Sequence, residues 1–152
     1  MSLIIEDASI QQLNQLYEIE MECFKEEAFK KQHIASLLTN YNSISLVAKI
    51  NDRIVGFILG IIHFERNYLI GHILTIDVSP QYRRRGVAQS LLREIEKIFR
   101  EKGVKSCRLE VREDNIAALR LYQKLGYKKV ARLKNYYENA HGIYLKKDLT
   151  QP

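Results

Sequence analysis

The stretch from residue 69 to residue 111 changes its period twice, and this constrains the fold more than any other feature. Alternating apolar residues run from Leu69 to Val78, Pro80 stops them, and a basic turn, Arg83-Arg84-Arg85-Gly86, follows. Ala88, Leu91, Leu92, Ile95, Ile98 and Phe99 then repeat at helical spacing, and Gly103 sits where a left-handed C-cap belongs. Alternation resumes over Lys105 to Val111. A strand, a helix and a strand joined this closely form a right-handed crossover, with the two strands parallel. In the first strand Leu74, Ile76 and Val78 are expected on one face, and Ile73, Thr75 and Asp77 on the other.

The flanking sequence supplies antiparallel partners. Ile4-Ile5 reads as a short strand, and Ser9 with Gln12 fits a capping box for a helix striped by Ile10, Leu13, Leu16, Tyr17 and Phe24. A charged stretch, Lys25 to Lys31, separates it from a second helix around His33 to Thr39. Ser45–Ile50 and Arg53–His63 flank the turn residues Asn51-Asp52 and predict a hairpin. After the crossover, Asp114 or Asn115 caps a helix carrying Ile116, Leu119, Tyr122 and Leu125, which Gly126 stops. Strands near Tyr127–Leu133 and Ile143–Leu149 close the chain. The order β-α-α-β-β-β-α-β-α-β-β predicts an α+β fold, one domain over 1–152, with a mixed sheet and helices on both faces.

Composition narrows the function. With 152 residues, 46% apolar and 28% charged, the chain can bury a core and is not a disordered tail. Its most apolar run, Ile54 to Ile62, is far short of the roughly 20 residues that span a bilayer. The start lacks a basic leader, so a soluble cytoplasmic protein is expected. Cys23 and Cys107 form no CxxC pair and read as reduced, buried thiols. The four histidines show no metal-ligand spacing, so no metal is expected. A net charge of +6 suits an anionic partner, either a nucleic acid or a polyphosphate carrier.

The basic turn is where such an anion would bind. The first N–H groups of a helix lack internal partners, the helix dipole adds positive charge there, and small residues at Gly86 and Ala88 let a phosphate approach the backbone. No Walker loop or GxGxxG is present. No aromatic-interleaved basic stripe supports nucleic-acid binding. Read without further context, this segment is equally a solvated turn, Glu110 a surface acid, Tyr122 a core residue and Asn115 a helix cap.

Arg83-Arg84-Arg85-Gly86-Val87-Ala88 resembles the Arg/Gln-x-x-Gly-x-Gly/Ala signature of the GNAT superfamily of acetyl-CoA-dependent N-acetyltransferases. The block from Leu109-Glu110-Val111-Arg112 through Asn115 and Leu121-Tyr122 to Gly126-Tyr127 resembles the RimI-like branch, which acetylates protein N-termini. The Asn135-Tyr136-Tyr137 run is similar to that branch's tyrosine-rich segment. The resemblance covers about residues 3–149.

It implies a sheet in which two parallel strands splay, with acetyl-CoA between them. The backbone of Ile76, Asp77 and Val78 would pair with the pantetheine arm. Arg84, Arg85, Gly86, Val87, Ala88 and Gln89 would bind the pyrophosphate, and Asn115 would contact the carrier further along. Glu110 would be the general base and Tyr122 the general acid. Phe29, Tyr136 and Tyr137 would line the acceptor site. The implied partner is a protein or peptide N-terminus, ribosomal proteins among the candidates, with no membrane and no direct nucleic-acid contact.

The chemistry explains these residue types, because an amine attacks a thioester only when neutral. Deprotonating an α-amine of pKa ~8 at pH 7 costs about 1.4 kcal/mol, against about 4.6 kcal/mol for a lysine of pKa ~10.4. A single carboxylate suits the cheaper case. Neither cysteine has a nearby activating motif, so direct attack in a ternary complex is expected.

Two segments depart from the branch pattern. Gly-Glu-Asp-Ala is replaced by His141-Gly142-Ile143-Tyr144, and the Pro-Trp of the first inter-helix loop by Cys23 to Phe29. Both fall on the acceptor side. The alternatives are therefore a small-amine acceptor, such as a polyamine or amino sugar, and a non-catalytic acyl-CoA-binding module.

Overall fold

A computed structural model describes residues 2–150. The chain runs β1 (Leu3–Asp7), α1 (Leu13–Phe24), α2 (Lys31–Thr39), β2 (Ser43–Ile50), β3 (Arg53–Glu65), β4 (Tyr68–Val78), α3 (Val87–Glu101), β5 (Ser106–Arg112), α4 (Ile116–Lys124), β6 (Lys128–Tyr137) and β7 (Ala140–Asp148). Short 3-10 turns precede α1, follow it and follow β4. The Ser9–Gln12 capping box forms as expected, although the turn it starts is 3-10. No helix among the described residues is long and apolar enough to cross a membrane.

The strands form one sheet in the order β1-β2-β3-β4-β5-β7-β6. All neighbours are antiparallel except β4 and β5, as the crossover requires. The amphipathic face of α3 lays Leu91, Leu92, Ile95 and Phe99 against Ile58, Ile73 and Leu109. A Cβ at Gly71 would lie 2.5 Å from the Phe99 ring, so α3 seats directly on β4. On the opposite face, Leu16 and Ile19 of α1 and Ile34 and Leu37 of α2 pack on Val47, Phe57 and Leu59. Each such buried side chain contributes about 1.5–3 kcal/mol, which fixes the helices that carry the site.

One expectation for β4 is overturned. Leu59 pairs with Thr75 but Gly60 pairs with Ile73, so Leu74 is the extra residue of a bulge. A bulge shifts the phase of alternation by one residue. Ile73, Ile76 and Val78 therefore pack on the α3 side, and Leu74 on the α1–α2 side. Thr75 and Asp77 follow Leu74 and reach Glu20 of α1.

The parallel pairing of β4 and β5 is brief. It comprises Ile70 with Ser106, Gly71 with Cys107 and His72 with Arg108. Beyond it the two strands part, one continuing to Val78 and the other to Arg112. At the far end β6 runs on to Tyr137, so Tyr136 and Tyr137 stand on a strand end and the chain reverses at Glu138-Asn139. Both cysteines are free, but Cys23 is only half-buried, because its thiol sits at the end of β4 instead of in a core.

Candidate active site

The gap between β4 and β5 is a natural binding site, because the splay exposes backbone that a sheet would otherwise pair. At its mouth α3 begins. Gly86 takes a left-handed φ of 79° as the N-cap and no side chain caps the helix. A Cβ at Gly86 would meet nothing within 4 Å, so the approach to the first N–H groups is open. Those groups fit an anionic phosphate group by geometry and by dipole.

The neighbours of Gly86 divide between anchoring and surface. Val87 is buried and fixes the first turn in the core. Ala88 follows it, and Gln89 Oε1 accepts a bond from Lys124 Nζ of α4 at 3.4 Å. The Arg85 guanidinium lies 5.3 Å from the centre of the Tyr82 ring. Arg84 has a φ of 64° and shapes the turn through its backbone. Arg83 holds the turn to the strand end: its Nε donates to Val78 O at 3.1 Å. The Cys23 thiol donates to the same carbonyl at 3.4 Å. Of the three β4 residues expected along the carrier, Val78 is thus already engaged at its oxygen, while Ile76 and Asp77 precede it on the splayed strand.

Glu110 and Tyr122 reach the gap from opposite faces. On β5, Cys107, Leu109 and Val111 point into the α3–α4 core, so Glu110 points to the other side. There its Oε1 lies 2.8 Å from His72 Nε2. An N–H at His72 Nε2 donates to the carboxylate and fixes its rotamer. Tyr122 projects from α4 and is 5% exposed, with Tyr127 edge-on at 5.8 Å between ring centres. Burial pushes its pKa well above that of a free phenol, and the nearby Asp77 and Tyr137 add to the shift. Such a phenol keeps its proton at physiological pH.

The α1 side of the gap is walled by three segments that meet at Arg112. Its Nη1 bonds Glu27 in the α1–α2 connection at 2.6 Å and Asn139 in the β6–β7 turn at 3.1 Å. Its other nitrogens hold Asp114, and its guanidinium lies 5.7 Å from the Tyr137 ring centre. Tyr136 packs edge-on to Tyr137 at 4.9 Å and is 53% exposed. Burial raises the pKa of both tyrosines, and the Glu110 charge raises it further, which places them beside the candidate base. Phe29 meets His33 edge-on at 4.9 Å in the α1–α2 connection.

Asn115 stands apart from this group. Its side-chain oxygen caps α4 by accepting from Ala118 N at 3.2 Å, which leaves its amide nitrogen as the free donor for a ligand.

Two cavities lie near these groups. A groove of about 330 Å³ is lined by His63, Glu65, His72, Arg108 and Glu110 with Tyr144 opposite. A larger one of about 620 Å³, between α4 and the β6–β7 pair, holds neither Glu110 nor His72. The smaller groove is the one with titratable groups converging on it, and it is the better candidate for chemistry.

Sequence reasoning missed His72, Glu27 and Arg112 as members of the site. A histidine interrupting an apolar strand was a visible signal for the first. The Glu27–Arg112 pair joins residues far apart in sequence, and no local pattern announces it.

The model of the Acetyltransferase (GNAT) family matches residues 13–127. An uncharacterized N-acetyltransferase of Methanocaldococcus jannaschii is 32% identical over 146 residues, covering 94% of this chain and 89% of that protein. An N-alpha-acetyltransferase of Sulfurisphaera tokodaii is 34% identical over 117 residues, 71% of this chain and 70% of the relative. The crystal structure of Ard1 from Thermoplasma volcanium superposes with a TM-score of 0.87 at 28% identity, covering 97% of this chain and 98% of the other.

Proposed function

The chain belongs to the GNAT acetyltransferase family, whose members draw acetyl from acetyl-CoA, and we propose that it acetylates the α-amine of a protein or peptide N-terminus, acting as one catalytic domain. The observation that carries this reading is the approach of Glu110 and Tyr122 to one gap from opposite faces of the sheet. Relatives of the same chain length class that are named N-alpha-acetyltransferases support the choice of acceptor.

Acetyl-CoA supplies an activated thioester when bound. The residues at the α3 N-terminus fit its pyrophosphate: Arg84 to Gln89 present backbone N–H groups around an uncrowded Gly86, and Ile76 and Asp77 lie along the splayed strand. Glu110, oriented by His72, accepts the proton that the ammonium must lose, directly or through one water. For an α-amine that loss costs about 1.4 kcal/mol at pH 7, within the range a single carboxylate assists. Tyr122, kept protonated by burial, gives its proton to the departing thiolate. Backbone N–H groups of the splayed end of β4 would be available to stabilise the acyl oxygen as its charge develops. The wall built on Phe29, Tyr136, Tyr137 and the Arg112 bonds receives the peptide chain behind the amine.

The test is to incubate the protein with acetyl-CoA and peptides varied at their first two residues, and to identify products by mass spectrometry. Free N-termini should be acetylated, and N-terminally blocked peptides carrying lysine should be poor substrates. Equal or faster turnover of polyamines would move the assignment to small amines.

A further inference from the structure

The acid cluster beneath the acceptor wall is used by none of the chemistry above. Glu20 of α1 and Thr75 and Asp77 of β4 are each at most 6% exposed. Thr75 Oγ1 lies 3.0 Å from Glu20 Oε1 and 2.7 Å from Asp77 Oδ1. The second Glu20 oxygen accepts the backbone N–H of Phe29 at 3.0 Å. The second oxygen of Asp77 is buried without a partner.

Counting protons decides the ionisation of this cluster. A threonine hydroxyl has one hydrogen, so it donates to only one of the two carboxyl groups. Both short contacts are hydrogen bonds only if a carboxyl brings a proton of its own. Glu20 has a donor at each oxygen and is the better anion. Asp77 has no donor at Oδ2, and a second carboxylate here would be buried beside the first without compensation.

We infer that Asp77 is held as the neutral acid, donating to Thr75, which donates to the Glu20 carboxylate. This chain of donors is a positioning device that fixes the α1–α2 connection, and with it Phe29, against the splayed end of β4 for the incoming acceptor. The positioning role rests on the proposed function; the protonation of Asp77 does not. Burial above all, and then the Glu20 charge, act on Asp77 in the same direction and raise its pKa well above the usual carboxylate range. The other groups facing Asp77 do not reverse this. From α1 comes the Cys23 thiol, neutral because burial pushes its pKa up to about 11. From α4 comes the protonated Tyr122 phenol. The Thr75 contact and, from the basic turn, Arg83 pull the Asp77 pKa down, but by less than burial and Glu20 raise it. Once Asp77 ionises as pH rises, two carboxylates share one hydroxyl, and their repulsion loosens the connection that Glu20 holds.

Infrared spectroscopy of the intact protein at neutral pH tests the proton directly. A protonated-carboxyl carbonyl band should be present and should be lost in Asp77→Asn. No such band, or one that survives in D77N, overturns the inference. Kinetics test the positioning. Asp77→Ala should raise the peptide KM at least tenfold, with the acetyl-CoA KM within twofold. D77N, whose amide donates at every pH, should recover most of that loss and flatten the rise of peptide KM with pH. D77A and D77N behaving alike, or D77A raising both KM values equally, overturns the positioning role. If the wild-type protein acetylates no peptide while the infrared band behaves as stated, the acceptor assignment fails and the neutral Asp77 stands.

Discussion

The two sides of the β4–β5 gap are built from different material. On the proposed donor side the groups are backbone: the uncapped N–H groups of α3, the left-handed Gly86 and the splayed strand. On the proposed acceptor side they are side chains held by partners distant in the chain, as in His72 with Glu110, Glu27 with Arg112, and Glu20 with Thr75. A carrier that is the same in every turnover can be met by fixed backbone. An acceptor must be selected, and side chains can be exchanged without rebuilding the sheet.

The largest effect should come from the groups between the two sides. Glu110→Gln and Tyr122→Phe should each lower kcat about 10²–10⁴-fold, the usual contribution of a positioned acid or base. Titration calorimetry should find acetyl-CoA affinity mostly retained in both. If E110Q turns over like the wild type, the division of labour across the gap is wrong at its centre. His72→Ala should fall between, because it disturbs the Glu110 rotamer and leaves the carboxylate in place.

A second substitution isolates the donor side. Gly86→Ala adds a Cβ that meets no atom within 4 Å, so its cost lies in the left-handed backbone, about 1–2 kcal/mol for a residue with a Cβ. In a chain of this size that lowers Tm by about 2–4 °C per kcal/mol. The first turn of α3 should distort with it and raise the acetyl-CoA KM about tenfold while the peptide KM stays close to wild type. A peptide KM that rose in parallel would show that the two sides are mechanically one.

The same contrast explains what was legible beforehand. The donor side was readable because Arg83 to Ala88 is a continuous segment whose strand stop, basic turn and helix start each have a local signature. The crossover and the order of elements followed from period alone. The acceptor side was not readable in this way. Glu110 and Tyr122 came from a family resemblance, since alternation left one as a surface acid and the other on an apolar stripe. The Leu74 bulge left no distinct mark in a strand with apolar residues on both faces, so Thr75 and Asp77 were correctly paired with each other but wrongly grouped with Ile73. Tyr136 and Tyr137 fell between the expected strands Tyr127–Leu133 and Ile143–Leu149, yet β6 continues through them, with Asn135 at a φ of 54°.

The remaining effect is one of stability, and it distinguishes the acid cluster from the other carboxylates. Glu113 and Asp114 are held below the usual carboxylate range by Arg132 and Arg112, so the stability they lend is present above their unfolded pKa and is lost as pH falls through the folded one. Asp77 is shifted the other way. Below about pH 3.8 it is protonated folded or unfolded and costs nothing. As pH rises further the unfolded chain ionises first, and stability falls by about 1.4 kcal/mol per pH unit until the folded-state pKa is reached. Asp77→Asn removes that cost and leaves the Arg-paired carboxylates common to both proteins. The Tm of D77N should therefore exceed that of the wild type by a margin that widens from pH 4 upward and then levels off. A margin that stayed flat across this range would mean that Asp77 is already ionised in the folded protein, and that the acceptor wall is anchored by ordinary packing.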